Sequence, residues 1–469
     1  MRPEIDYPSS VDLSEKPCPD TVDISTQADF APADRGFSAW STLLSSCILG
    51  LFVWGLPNSA GALLAAYLED PVYASQPHAS SNLPLIGTLC TGIMYCSGVV
   101  IYPSLHYDLR LRRVYIWVGV GICFLSLLGP SFATNVTLLI ALQGVAFAIG
   151  ASLVYCPVIS YMSEWWVERL GLANGIGVAG DNSGGVLFPI VMPALIKHFG
   201  IQNTVRIYAI ALAIFLVPAA FFMKPRLPEA PADRSIAAPS PKPRDHSWMR
   251  DRRLWFFVAM NTFQGLAYFV PLTWLPTFAT SLGLNESQAS LTLTLSNAAS
   301  ILAGCSTGWL SDRYNIWALA FSTLLLTSVA TFALWGIASF TYAGLLAYSI
   351  AYGLTAGCWS SMWSGFVRPI SGDDLSLATT IFSILLFTRG LGNIVSTPVS
   401  TALQHAKIIP TYLRDSHELH LGLTVDDGQY ALVIVYAGTC FAIAAAIAAL
   451  GWSLDCRTST RDIEAKSQA

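Results

Sequence analysis

Apolar residues along this chain gather into twelve runs separated by shorter polar segments. The runs lie at about 41–67, 84–105, 114–133, 136–161, 171–197, 204–223, 254–279, 287–310, 316–338, 341–365, 375–403 and 430–453. At 1.5 Å per residue, each can cross a hydrocarbon layer about 30 Å thick. Lipid offers no partner to a backbone N–H or C=O group, so each run predicts a helix despite the Gly and Pro it contains. The pattern therefore predicts an all-α membrane protein with twelve transmembrane helices.

Between the sixth and seventh runs the chain reads KPRLPEAPADRSIAAPSPKPRDHSWMRDRR, residues 224–253, rich in Pro and charge. This stretch reads as a cytosolic linker between two six-helix halves, 38–223 and 254–453. Residues 1–37 are polar and acidic, without the apolar run of a cleaved signal peptide, and read as a disordered cytosolic tail. Residues 454–469 read as a second cytosolic tail.

Lysine and arginine set the orientation. With both termini cytoplasmic, all but five of the 25 basic residues fall in inner segments. The exceptions are Lys197, Arg206, Lys407 and Arg414 in outer loops and Arg389 inside a span. Two sequons, at Asn135 (N-V-T) and Asn285 (N-E-S), fall in loops that this topology places outside, so both are candidate glycosylation sites.

Composition fits the same class, with 54% hydrophobic and 12% charged residues, the latter roughly half the charged share of a soluble chain. A net charge of −4, with basic residues spread over inner loops, provides no face for nucleic acid. Most of the ten cysteines lie in predicted spans and show neither a disulfide framework nor zinc spacing. No cofactor is expected.

Two loops echo each other. After the second run the chain reads SLHYDLRLRR and after the eighth GWLSDRYN, so Asp108 and Asp312 occupy corresponding places. An ordinary positive-inside loop accounts for the arginines but not for matched aspartates. Here the chain resembles the major facilitator superfamily, whose signature after the second span is G-x-x-x-D-R-x-G-R-R, repeated more weakly after the eighth. Gly308, Asp312 and Arg313 match the second copy; Asp108, Arg112 and Arg113 match the first, where Ser104 and Leu111 replace the glycines. The resemblance implies that these loops latch the halves together on the cytoplasmic side.

Three further segments, GLPNSAGALLAAYLED, WWVERLGLANGIGVAGDNSGGVLFPIVMP and TRGLGNIVSTPVSTAL, resemble the monocarboxylate-porter branch, its fungal members especially. The GIGVAG within them fits a dinucleotide fingerprint in letters only, because no strand precedes it. At that density, small residues in a membrane helix permit close helix packing instead.

Two charges stand near the middle of apolar runs: Asp181 in the fifth and Arg389 in the eleventh. A charge at mid-membrane costs roughly 2.5–3.5 kcal/mol, so each should face a cavity or a partner. The resemblance makes spans five and eleven equivalents that border the cleft between halves. Two readings follow. In one, Arg389 grips an anionic substrate bidentately and Asp181 carries a coupling proton or exchanges partners with Arg389. In the other, the two form a permanent salt bridge, or Asp181 caps a local break in GDNSGG.

Asn58, Asn182, Asn261, Gln264, Asn297, Asn393, Trp359 and Trp363 are further candidates to line the cleft. Trp359 and Trp363, four apart, are expected on one helical face. The ionisable groups of animal lactate carriers are missing, with Asn58, Ser300 and Gly304 in their places. The resemblance therefore implies the fold and a substrate class, not lactate.

The expected activity is alternating-access transport of a small organic anion or monocarboxylate-like metabolite, with or without protons, across the plasma membrane. One chain of this family holds a whole pathway, so a monomer is expected. Efflux of a fungal secondary metabolite is the alternative, and a non-transporting nutrient sensor the remote one. No nucleophile with a nearby base, metal cluster or phosphate loop suggests an enzyme.

Overall fold

The computed structural model describes residues 32–107, 110–132, 134–226, 247–372, 374–406 and 421–468, and helices occupy all twelve predicted spans. The first span is two helices, Phe37–Asn58 and Ala60–Glu69, separated at Ser59 just after Pro57. The Ser59 hydroxyl donates back to the carbonyl of Gly55 at 2.7 Å, beside the Ser59 N–H that reaches the same carbonyl at 3.1 Å. Spans five and six form one continuous stretch, Leu170–Phe222, broken only at Gly200. There φ is 75° and ψ 165°, a conformation open to glycine and costly for other residues.

Eight helices among the described residues are long and apolar enough to cross a membrane, and Leu170–Phe222 contains two of the crossings. The other three spans fall short for physical reasons. Arg252–Ser281 and Glu286–Ser311 carry Asn261, Gln264, Asn297 and several hydroxyl residues. The tenth is divided into Tyr342–Ala356 and Trp363–Ser371 by a tighter turn at Trp359–Met362.

Spans one to six meet spans seven to twelve chiefly along two seams, five on eight and two on eleven. The first seam closes through glycine: a Cβ added at Gly175 would overlap the backbone carbonyl of Gly304, and one at Gly308 that of Gly171. Small residues let the backbones touch, as in other membrane helix pairs. At the second seam Asn393 of span eleven donates to the Thr91 hydroxyl of span two at 3.1 Å.

Candidate functional site

One end of the five–eight seam is tied by a carboxylate. Asp312, at the end of span eight, accepts the backbone N–H groups of Gly171 and Leu172, both at 2.9 Å. These are free donors at the start of span five, where a helix favours negative charge. Burial raises the Asp312 carboxyl above the usual carboxylate value, and the two N–H groups and Arg368 oppose that rise.

Beside it, Asp34 accepts the N–H groups of Val167, Glu168 and Arg169 at 3.0–3.3 Å. Arg112, buried, pairs with Glu164 and lies over the Tyr161 ring. Arg113 is exposed, and Arg313 stacks on Trp309 at 4.3 Å. Asp108 lies outside the described residues. Asp312→Asn, which keeps the shape and loses the charge, should raise hydrogen exchange at Gly171 and Leu172 by about tenfold, since a bond to a charged group is worth roughly 1.5–3 kcal/mol. Unchanged protection of those two amides would show that the tie is not made.

Deeper in the molecule, between the two sets of spans, lies a cavity of ≈ 120 Å³. That is room for several waters. Asp181, Asn182 and Asn58 line one side, Arg389 and Trp363 the other, and Asn297 lies between on span eight.

Arg389 is 3% exposed. Its Nη1 donates to Gln264 Oε1 at 3.2 Å, and its guanidinium carbon sits 4.3 Å from the Tyr268 ring centre, with the rings of Tyr95 and Trp363 at 5.9 and 5.8 Å. Aromatic faces attract a cation and leave its charge uncancelled. Asp181 accepts the Tyr155 hydroxyl at 3.0 Å, and its other oxygen lies where a Cβ on Gly50 would sit. Asp181 and Arg389 form no ion pair with each other: each has turned to a neutral neighbour within its own set of spans. The permanent salt bridge is therefore not formed. Nor does Asp181 cap a break, since the helix is continuous there.

The remaining candidates divide. Asn58, Asn182, Asn297 and Trp363 line the cavity. Asn261, Trp359, Gln264 and Asn393 do not. Asn261 is fully buried and used up: it donates to the Leu385 carbonyl and the Thr388 hydroxyl at 2.8 and 2.9 Å and accepts from Trp359 Nε1 at 2.9 Å. The turn at Trp359–Met362 also breaks the expected four-residue spacing, so Trp359 packs on Phe257 while Trp363 reaches the cavity. Gln264 lies behind Arg389 as its acceptor. Asn135 and Asn285 are exposed and serve as helix N-caps through their side-chain oxygens.

Three tyrosines, Tyr95, Tyr155 and Tyr268, and Trp54 line the cavity without having been singled out from the sequence. Their one sequence signal is a polar-tipped ring in the middle of an apolar run, where membrane aromatics more often sit at the ends.

The model of the Major Facilitator Superfamily matches residues 42–397. The MFS transporter asaE of Aspergillus flavus is 25% identical over 449 residues, covering 95% of this chain and 93% of its own. The fujikurins efflux protein of Gibberella fujikuroi is 25% identical over 396 residues, covering 82% and 80%. Among solved structures, the proton:xylose symporter XylE bound to 6-bromo-6-deoxy-D-glucose is similar with a TM-score of 0.62 at 14% identity, covering 87% of this chain and 94% of that one. At such identity the last likeness is one of fold.

Proposed function

Since the chain belongs to the Major Facilitator Superfamily, a family of multi-pass membrane transporters and not of enzymes, we propose that it exports an organic anion with a ring-bearing or otherwise apolar body. The proposed mechanism is alternating access, with 38–223 rocking against 254–453 around the central cavity. The observation that carries this reading is Arg389, a buried cation whose partners are a neutral amide and aromatic rings. A guanidinium left uncompensated in low dielectric is complementary to a carboxylate or enolate. Efflux is what the name of the Gibberella relative states, and it supports the outward direction here.

A small monocarboxylate is the second reading, favoured by the cavity's ≈ 120 Å³, which holds it without further opening. In either case Asp181, half-buried beside a neutral hydroxyl, is the proposed proton carrier. The Lys/Arg bias supports cytoplasmic termini, and the plasma membrane is the proposed location. A single chain is the proposed working unit.

The test is internal pH in proteoliposomes of wild type and Asp181→Asn as carboxylic acids are added outside, corrected with protein-free vesicles. Protein-dependent acidification lost in the variant is the expected result. Labelled acid accumulating equally in both proteins, with no protein-dependent pH change, would remove the proton role from Asp181.

Gln264 gives a second prediction. Gln264→Glu is close to isosteric and would set a carboxylate against the Arg389 guanidinium, forming the ion pair that the wild type lacks. Anion affinity should then fall by about tenfold or more, and by less in Gln264→Met, because the new charge competes with the substrate. Equal losses in the two variants, read as KM in uptake assays, would make Gln264 a packing residue only.

A further inference from the structure

The chain between spans four and five, residues 164–169, is anchored within its own set of spans. Glu164 pairs with Arg112 and accepts the Arg226 N–H at 3.1 Å, and Trp165 Nε1 donates to the Lys224 carbonyl at 2.8 Å. These ties hold the end of span four. The N–H groups of Val167, Glu168 and Arg169 that follow all go to the Asp34 carboxylate, in contacts of 3.0–3.3 Å. The Asp34 N–H in turn donates to the Trp165 carbonyl at 2.9 Å, and Trp40 packs edge-on against Trp166, ring centres 5.1 Å apart. Asp34 is 9% exposed and holds φ at 60°, a left-handed conformation that a non-glycine residue keeps only where its surroundings fix it. Two residues past Arg169 the partner changes: Gly171 and Leu172 give their N–H groups to Asp312, on the other set of spans. The start of span five is therefore shared between two carboxylates, one from each set.

We infer that Asp34 is a positioning residue for the closing of the five–eight seam: by fixing residues 167–169 it aims the Gly171 and Leu172 amides at Asp312, and it thereby favours the state in which this end of the seam is shut. The inference holds whatever molecule is carried, and it rests on the alternating-access reading only for its effect on transport. Amides in the first turn of a helix have no partner within the helix, so the residues just before them set where they point. Charge alone argues the other way. Beyond burial, Asp34 helps to raise the Asp312 carboxyl above its usual value, so the two like charges feel each other. By repulsion alone, neutralising Asp34 would tighten the Asp312 tie. Three amides held by a buried carboxylate outweigh one repulsion in which the second partner, Asp312, is exposed to screening solvent.

The experiment is residue-resolved hydrogen exchange on the purified full chain as wild type, Asp34→Asn, Asp312→Asn and the double variant. In parallel, spin labels at Arg113 and Tyr314, exposed on the two sets of spans at this end, report the distance between them. Asparagine tolerates the same left-handed backbone, so Asp34→Asn removes the charge and one acceptor without adding strain. Exchange should quicken by about threefold or more at Gly171 and Leu172, which Asp34 does not touch, as well as at residues 167–169. The labels should move apart, and Asp34→Asn should add little to that movement in the Asp312→Asn background, because both act through one tie. Faster exchange confined to residues 167–169 would leave Asp34 a purely local role, and slower exchange at Gly171 and Leu172 would mean that repulsion wins. Either result overturns the inference, as do additive label movements. If Asp34→Asn does not fold, Asp312→Asn decides alone: coupling is reciprocal, so that variant should also quicken exchange at residues 167–169, and unchanged protection there overturns the inference. Labels that stay in place in every variant while exchange follows the prediction would instead overturn the rocking of the two halves, with the positioning of the two amides upheld.

Discussion

Arg389→Gln is expected to reduce uptake of any organic anion by two orders of magnitude or more while the protein remains folded and monodisperse. Among the described residues that line the cavity, Arg389 is the one buried cation, and it meets a neutral amide and aromatic faces. Hydrogen bonds to charged groups are worth roughly 1.5–3 kcal/mol each, and a bidentate carboxylate makes two, which gives about 10²–10⁴ in affinity. Glutamine keeps a donor and much of the volume, so the fold should tolerate the change. Arg389→Lys should recover only part of the loss, because an ammonium is a point charge without the planar fork. Uptake of labelled acid into proteoliposomes reads both variants. Rates for Arg389→Gln within a few-fold of wild type would remove Arg389 from the substrate site.

Gly175→Val should be nearly as damaging by a different route. A Cβ at that position overlaps the backbone carbonyl of Gly304 across the five–eight seam. Backbone cannot rotate aside as a side chain can, so the helices must separate or the closed arrangement must be abandoned. Overpacking commonly costs about 1–3 kcal/mol, enough to depopulate one side of a balanced two-state equilibrium. Spin labels placed at Glu168 and Tyr314, both exposed at that end of the seam, should move apart, and transport should fall toward background. Gly121→Val is the control, because a Cβ there meets nothing within 4 Å. An unchanged label distance in Gly175→Val would mean that the seam has slack that the backbone geometry does not show.

Much of this was legible in the chain because the membrane imposes coarse rules. Apolar runs of membrane-spanning length could only be helices, and the charges at Asp181 and Arg389 stood out because the surrounding residues are so uniformly apolar. What residue type could not convey was direction. Asn261 and Asn182 look equivalent in sequence, yet one is spent holding spans seven, ten and eleven together and the other lines the cavity. Trp359 and Trp363 were parted by a local turn that helical spacing does not foresee. The Asp181–Arg389 pair failed to form because nearer neutral partners, Tyr155 and Gln264, engage each charge. The aromatic wall of Tyr95, Tyr268 and Trp54 was hidden among rings that could as well have faced lipid.

The central claim is that an organic anion crosses the membrane through this cavity. Its most direct test is exchange in proteoliposomes loaded with unlabelled phenylpyruvate, with labelled phenylpyruvate added outside and protein-free vesicles as the blank. Alternating access around an anion site requires labelled acid to enter faster than in the blank, and excess outside phenylpyruvate, but not phenylacetone, to suppress that entry. Exchange no faster than in protein-free vesicles, for phenylpyruvate and for simple monocarboxylates alike, would contradict it.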